Sequence, residues 1–163
     1  MRNVHSRRIG APAGTVGALL DTLAGDGDRL WPSPAWPPLR LDGGLRVGAA
    51  GGHGPIRYRL GEYEPGRRVR FTFAPRAPLD GYHEFTVAAD GDDASVITHE
   101  IRARPRGLGV VLWPVLLRWM HDDLLEELLD NAERHAAGPV ARPHRRGPWV
   151  RLCRRLLGPA PRW

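Results

Sequence analysis

Histidine has an ordinary pKa close to neutrality, so the same side chain serves proton transfer, metal binding and hydrogen-bonded recognition. Seven occur in the 163 residues, and three fall in phase with apolar neighbours. His83 alternates with Phe85, Val87 and Ala89, and His99 with Ile97 and Ile101, the period-two pattern of side chains sharing one face of a strand. His121 keeps helical spacing with Leu117, Leu124, Leu125 and Leu128. The two strands are joined by the turn Asp90-Gly91-Asp92-Asp93 and read as a hairpin. For their apolar faces to coincide, paired residue numbers must sum to 182 or 184. The first register sets His83 opposite His99 with Cβ atoms about 5 Å apart; the second sets them diagonally, about 7 Å apart. Three imidazoles from three elements then converge on one interior.

Such a cluster admits several kinds of chemistry. One imidazole acts as a general acid or base. Three, here His83, His99 and His121, hold zinc or iron with a position left open. No pair has the close helical spacing of metal ligands and inward carboxylates are scarce, so no metal or other cofactor is expected. Alternatively, the imidazoles hydrogen-bond the polar group of an otherwise apolar ligand. The plainest account is that each is a semi-buried histidine satisfied by backbone, tyrosine or water. His53, within Gly51-Gly52-His53-Gly54-Pro55, has no neighbours that orient it. Glu62 is in phase with Tyr58 and Leu60 but also reads as an exposed strand-end carboxylate. Asp122, Asp123, Glu126, Glu127 and Asp130 are expected on the solvated helix face, and adjacency alone does not pair Asp122 with His121. No glycine-rich phosphate loop, no GxSxG elbow and no cysteine nucleophile before the tail is present.

The elements that must position these residues can be read in order. Residues 3–9 form a first strand with poor apolar alternation. Pro12 opens a short helix in which Val16, Leu19, Leu20 and Leu23 make one buried stripe. Leu30 to Pro38 holds four prolines and two tryptophans, which excludes a helix. Trp31 and Trp36 in that loop either plug the core edge or rim a ligand cavity. Asp42-Gly43-Gly44 predicts a hairpin between residues 39–41 and 45–47, while 48–55 is too glycine-rich for a packed strand. Residues 56–60 alternate, with Tyr58 inward. Glu64-Pro65-Gly66-Arg67 suits a type II turn, and Val69, Phe71 and Phe73 share the next strand's inner face. Strands over 82–89 and 95–104 complete an uninterrupted antiparallel run. A helix from about 113 to 136 must cover it; Pro114 either starts or kinks that helix, and Gly138-Pro139 stops it. Residues 138–148 read as linker. Residues 148–157 form a short amphipathic helix with Trp149, Leu152, Cys153 and Leu156 on one side, stopped by Gly158-Pro159.

Charge divides the chain. All 24 basic residues are arginine, which reflects codon bias more than a nucleic-acid partner. Residues 1–135 hold 17 Arg against 18 acidic residues, whereas 136–163 hold seven Arg and none. The expected organisation is a body over 1–137 that folds without the basic tail at 138–163. Cys153 is the only cysteine, so no intrachain disulfide forms. The N-terminus lacks the apolar run of a signal peptide. The 13-residue segment from Leu108 to Met120 is shorter than the about 20 residues of a membrane span. These features suggest a cytoplasmic protein, or one peripheral at a membrane.

The order of elements, together with Leu41-Asp42-Gly43-Gly44, Gly52-His53-Gly54-Pro55-Ile56-Arg57-Tyr58, Pro65-Gly66-Arg67-Arg68-Val69, Gly81-Tyr82-His83 and His121-Asp122-Asp123-Leu124-Leu125-Glu126, resembles the SRPBCC superfamily. These are the START/Bet v 1-like helix-grip proteins, which include polyketide cyclase/dehydrase-like members, and the likeness spans about residues 3–136. It implies an α+β fold, a curved antiparallel sheet wrapped around a long C-terminal helix, with a hydrophobic cavity between them. It implies no single activity and transfers no catalytic residue. The expected function is binding of a small hydrophobic molecule, such as a lipid or polyketide. His83, His99, His121, Tyr58, Phe71, Phe73, Phe85, Trp31, Trp36 and Leu117 are the expected lining. The alternative is a cyclase, dehydratase or hydrolase in which His83, His99 or His121 moves protons. A further alternative is a lipid carrier whose Trp149, Arg151, Arg154 and Arg155 meet an anionic membrane surface. Nucleic acid is not an expected partner, because no base-reading module is evident.

Overall fold

Seven strands form one antiparallel sheet in a computed structural model that describes residues 1–157. They are β1 (Arg2–Ile9), β2 (Arg40–Leu41), β3 (Ala50–His53), β4 (Ile56–Glu64), β5 (Arg68–Phe73), β6 (Leu79–Ala89) and β7 (Ser95–Pro105). The order across the sheet is β1-β7-β6-β5-β4-β3-β2. The strands from β2 to β7 follow one another as a meander, and the first strand of the chain closes on the last. The helix α1 (Ala13–Leu20) lies between β1 and β2 in sequence and buries Val16, Leu19 and Leu20. It approaches the β4–β5 turn so closely that a Cβ on Gly17 would lie 2.3 Å from the Gly66 carbonyl oxygen. Gly66 itself has φ +69° and Arg67 N–H donates to the Glu64 carbonyl, as the expected turn requires.

The long helical segment runs from Gly109 to Ala137, 29 residues. It has three parts: α2 (Gly109–Leu112), a π-helical turn at Trp113–Leu117, and α3 (Arg118–Ala137). The expected start near 113 is therefore too late. Pro114 neither begins nor breaks the helix, because it sits inside the π turn. Leu124, Leu125, Leu128, Leu129 and Ala132 of α3 are buried against Phe71, Phe85, Leu60 and Ile97 of the sheet.

Three other expectations change. Residues 45–47 are not a strand. Leu41 pairs instead with Gly51, and Asp42 closes the intervening loop by accepting from Ala50 N–H at 2.8 Å. The glycine-rich stretch is β3: a Cβ on Gly51 would lie 1.9 Å from the Arg40 carbonyl oxygen, so the close pairing needs the missing side chain. A bulge between Leu60 and Glu62 reverses the face of β4, so Glu62 turns outward to Arg68 and Arg70.

The helix α4 (Pro148–Leu157) packs back onto the body and buries Val150 and Cys153. The segment before it is not a free linker. Asp123 accepts from His144 at 2.9 Å and from Gly147 N–H at 3.0 Å, and Arg146 pairs with Glu127. The Gly158-Pro159 stop lies outside the described residues. Among the described residues, no helix is long and apolar enough to cross a membrane.

Candidate functional site

The β6–β7 pairing joins Phe85 to His99 and His83 to Ile101, the register whose sum is 184. His83 and His99 are therefore diagonal neighbours on the inner face, both buried. His83 Nδ1 and His99 Nε2 share a hydrogen bond at 3.2 Å. Helix α3 brings His121 over them, its ring centroid 5.0 Å from that of His99. Aromatic rings complete the shell. Phe71, Phe73 and Tyr58 lie 5.0, 5.2 and 4.7 Å from His83, and Phe85 lies 4.5 Å from His99. Trp113 of the π turn is 6.1 Å from His121 and packs with Leu117 over Phe73, Leu79 and Ile101. At the other end, His53 stands between Trp31 at 4.9 Å and Tyr58 at 6.0 Å.

The hydrogen-bond accounting of this interior is incomplete. His83 Nε2, His99 Nδ1, both ring nitrogens of His121 and the Tyr58 hydroxyl are buried without a hydrogen-bond partner among the described residues. Loss of water dominates their titration. Burial drives the pKa of His83 and His99 well below the ordinary value, with repulsion from neighbouring histidines acting in the same direction. Burial also lowers His121, partly offset by the Asp122 carboxylate, whose Oδ1 lies 3.6 Å from His121 Nδ1. His53 is pushed down to about 3 by burial and by the charges of His121 and Arg57. At neutral pH this interior is lined by neutral imidazoles, each able to donate once and accept once.

The tryptophans occupy the core edge. Trp31 donates to the Pro37 carbonyl at 2.8 Å, and Trp36 donates to Glu127 at 3.0 Å beneath Arg146 and Arg154. Both indoles are buried. A cleft of about 420 Å³ opens beside this loop, between Pro32, Glu127, Asn131, His144 and Arg146, on the side of α3 away from the histidines.

His5 carries no apolar signal in the sequence and joins the cluster through β1. The inward residues of this strand are Asn3, His5, Arg7 and Ile9, mostly polar because they face a charged flank of α3. His5 meets Glu126 at 2.8 Å and Asp122 at 3.0 Å, and Arg7 meets Glu126, Asp130 and Glu133. The acidic residues expected on a solvated face are thus largely engaged, and Asp123 and Asp130 are buried. Burial opposes charge on His5, but its two carboxylate hydrogen bonds prevail and raise its pKa. Burial likewise opposes charge on Asp122, yet the nearby His121 and hydrogen bonds from His5 and Asn3 hold it below the usual carboxylate range. Among the described residues, one donor atom from each of His5, His121 and Asp122 lies within 4.8 Å of the other two.

No protein-family model and no curated protein sequence matches the chain. Solved structures do. A protein from Thermobifida fusca superposes with a TM-score of 0.65 at 20% identity, covering 88% of this chain and 99% of that one. CalU16 from Micromonospora echinospora gives 0.58 at 18% identity, covering 93% and 80%. Norcoclaurine synthase from Thalictrum flavum gives 0.62 at 14% identity, covering 82% and 91%. At these identities the likeness is one of fold, and it agrees with the strand order and the long C-terminal helix: the chain has an α+β, Bet v 1-like helix-grip fold.

Proposed function

We propose that the protein binds a small, largely apolar molecule between the sheet and α3, holding its polar group with Tyr58, His83, His99 and His121. The observation that carries this reading is the set of unpartnered buried atoms on those four residues. Each buried polar group left unsatisfied costs about 1–3 kcal/mol, and a ligand hydroxyl, phenol or carbonyl supplies the missing bonds. Neutral imidazoles suit an uncharged polar group. Phe71, Phe73, Phe85, Trp113 and Leu117 supply the apolar walls. Acid–base turnover is the weaker alternative, because burial holds His83 and His99 far below the range in which a histidine exchanges protons efficiently. A variant of Thalictrum norcoclaurine synthase, similar in fold, was solved with a transition-state analogue. Organic extraction and native mass spectrometry of the purified protein test the proposal. An apolar compound bearing one hydroxyl or carbonyl is expected, with retention lost in Tyr58→Phe/His99→Phe. Failure to retain any such compound, or to bind apolar phenols and ketones offered in solution, would count against it.

A second observation favours exchange of that molecule with an anionic lipid surface. Of the twelve exposed large apolar side chains among the described residues, nine lie at or on α2, the π turn, the start of α3 and α4: Leu108, Val110, Val111, Leu112, Val115, Trp119, Trp149, Leu152 and Leu156. Trp149 donates to the Val115 carbonyl at 2.9 Å, which joins the two segments. Arg118, Arg151 and Arg155 are exposed beside them, and a positively rimmed apolar patch matches phospholipid headgroups and acyl chains. Arg154 is not part of this surface; it stacks on Trp36. Flotation should recover the protein with phosphatidylglycerol vesicles and not with phosphatidylcholine alone, and Val111→Asp should abolish it. Concentration-dependent dimerisation lost in Val111→Asp, without flotation, would assign the patch to a second copy instead.

A further inference from the structure

The seam between β1 and α3 holds a donor set of which the apolar-ligand reading uses only His121. His5 Nε2 lies 3.0 Å from Asp122 Oδ1, and His121 Nδ1 lies 3.6 Å from the same oxygen. One donor atom from each of the three residues falls within 4.8 Å of the other two. Zinc bonds to histidine nitrogen and carboxylate oxygen at about 2.0–2.2 Å, so tetrahedral donors stand roughly 3.3–3.5 Å apart. Two of the measured spacings bracket that value, and the third is no more than 4.8 Å.

The surroundings are arranged as metal ligands require. His5 Nδ1 is 2.8 Å from Glu126 Oε1, so Nδ1–H donates backward to a carboxylate and Nε2 faces Asp122. Asn3 donates to Asp122 Oδ1 at 2.9 Å and fixes that carboxylate. Arg118 and Arg7 engage the opposite oxygens, Asp122 Oδ2 and Glu126 Oε2. Both ring nitrogens of His121 are buried without a hydrogen-bond partner among the described residues, and a metal bond satisfies one of them.

We infer that His5, His121 and Asp122 form a site for a divalent transition metal, with Glu126 and Asn3 positioning its ligands. Two imidazoles and one carboxylate suit zinc or ferrous iron and leave at least one coordination position for water or an added ligand. The ring of His99 stands beside His121. This inference does not rest on the apolar-ligand reading; the two share only His121.

The test is titration of the chelator-treated full chain with Zn²⁺ by calorimetry and with Co²⁺ by visible absorption. One ion per chain is expected, with visible bands of a nitrogen- and oxygen-ligated cobalt. His121→Phe and His5→Phe should each weaken binding at least 100-fold, and Glu126→Gln about 10–100-fold. His135→Ala/His144→Ala, at the far end of α3 and in the tail, should leave the metal affinity unchanged. Circular dichroism checks that the variants fold. Should His5→Phe unfold, His5→Gln and the wild-type titration decide. Lack of stoichiometric binding by the folded wild type would overturn the assignment. So would binding that survives loss of His5 and His121, or that disappears with His83→Phe alone.

Discussion

His83 and His99 satisfy one another through a single hydrogen bond and leave one nitrogen each without a partner. That arrangement has an asymmetric consequence for mutation. His99→Leu alone leaves His83, and His83→Phe alone leaves His99, with two unpartnered nitrogens, and each should cost about 1–3 kcal/mol. The double change His83→Phe/His99→Leu removes both orphans of this pair and should recover the stability that either single change loses. Urea unfolding of the two singles and the double measures this as a coupling energy. Acid provides a second test. His53 is held neutral down to about 3, and His83 is also depressed, by burial first and then by their charged neighbours. Between an unfolded pKa near 6.5 and these lower native values, the unfolded chain binds protons that the native protein does not. The contribution of these two histidines is therefore full above pH 6.5 and falls as pH drops, by up to about 1.4 kcal/mol per pH unit for each, while His5, whose pKa is raised, acts in the opposite direction. Urea midpoints between pH 7.5 and 4.5 should show this slope, and His53→Phe should flatten it. The inward phase of His83, His99 and His121 is legible from neighbours two or four residues away. That of His5 is not, because Asn3, His5 and Arg7 are polar residues facing a polar helix flank.

The element that grips is α3, and β1 holds it by charge as well as by apolar contact. Arg7 reaches Glu126, Asp130 and Glu133, one above another on the helix. Arg7→Met removes donors from partly buried carboxylates and should cost about 1–3 kcal/mol. Amide exchange in α3 should quicken more than exchange in β5 or β6. At this scale periodicity identified the long strands and the main helix, yet missed their ends. Pro114 was legible as an interruption but not as a residue of a π turn, because the geometry is set by Trp113 packing on Phe73 and Ile101. The Asp42-Gly43-Gly44 signal was real as a turn. Pairing of residues 40–41 with Gly51 and Gly52, which only glycine permits so closely, decided against the short hairpin.

For the whole molecule, the described part of the tail packs on the body. Val150 and Cys153 are buried, and His144, Arg146 and Gly147 satisfy Asp123 and Glu127. Truncation after Ala137 should therefore destabilise the protein, contrary to the expectation of a self-sufficient body. With an aliphatic side chain worth about 1.5–3 kcal/mol when buried, the loss should be at least about 3 kcal/mol, read as a lowered urea midpoint. The sequence by itself determined the antiparallel run, the inner faces of its long strands and the apolar stripe of α3. Those patterns arise between residues close in the chain, where backbone geometry sets which side chains share a face. Tertiary structure decided which distant segments meet. The closure of β1 on β7 brings His5 under α3, the 184 register sets the spacing of His83 and His99, and the returning tail covers Trp36. Such meetings are selected by packing and charge pairing between segments, from 16 residues apart for His83 and His99 to more than a hundred for His5 and Asp122, and no local period records them.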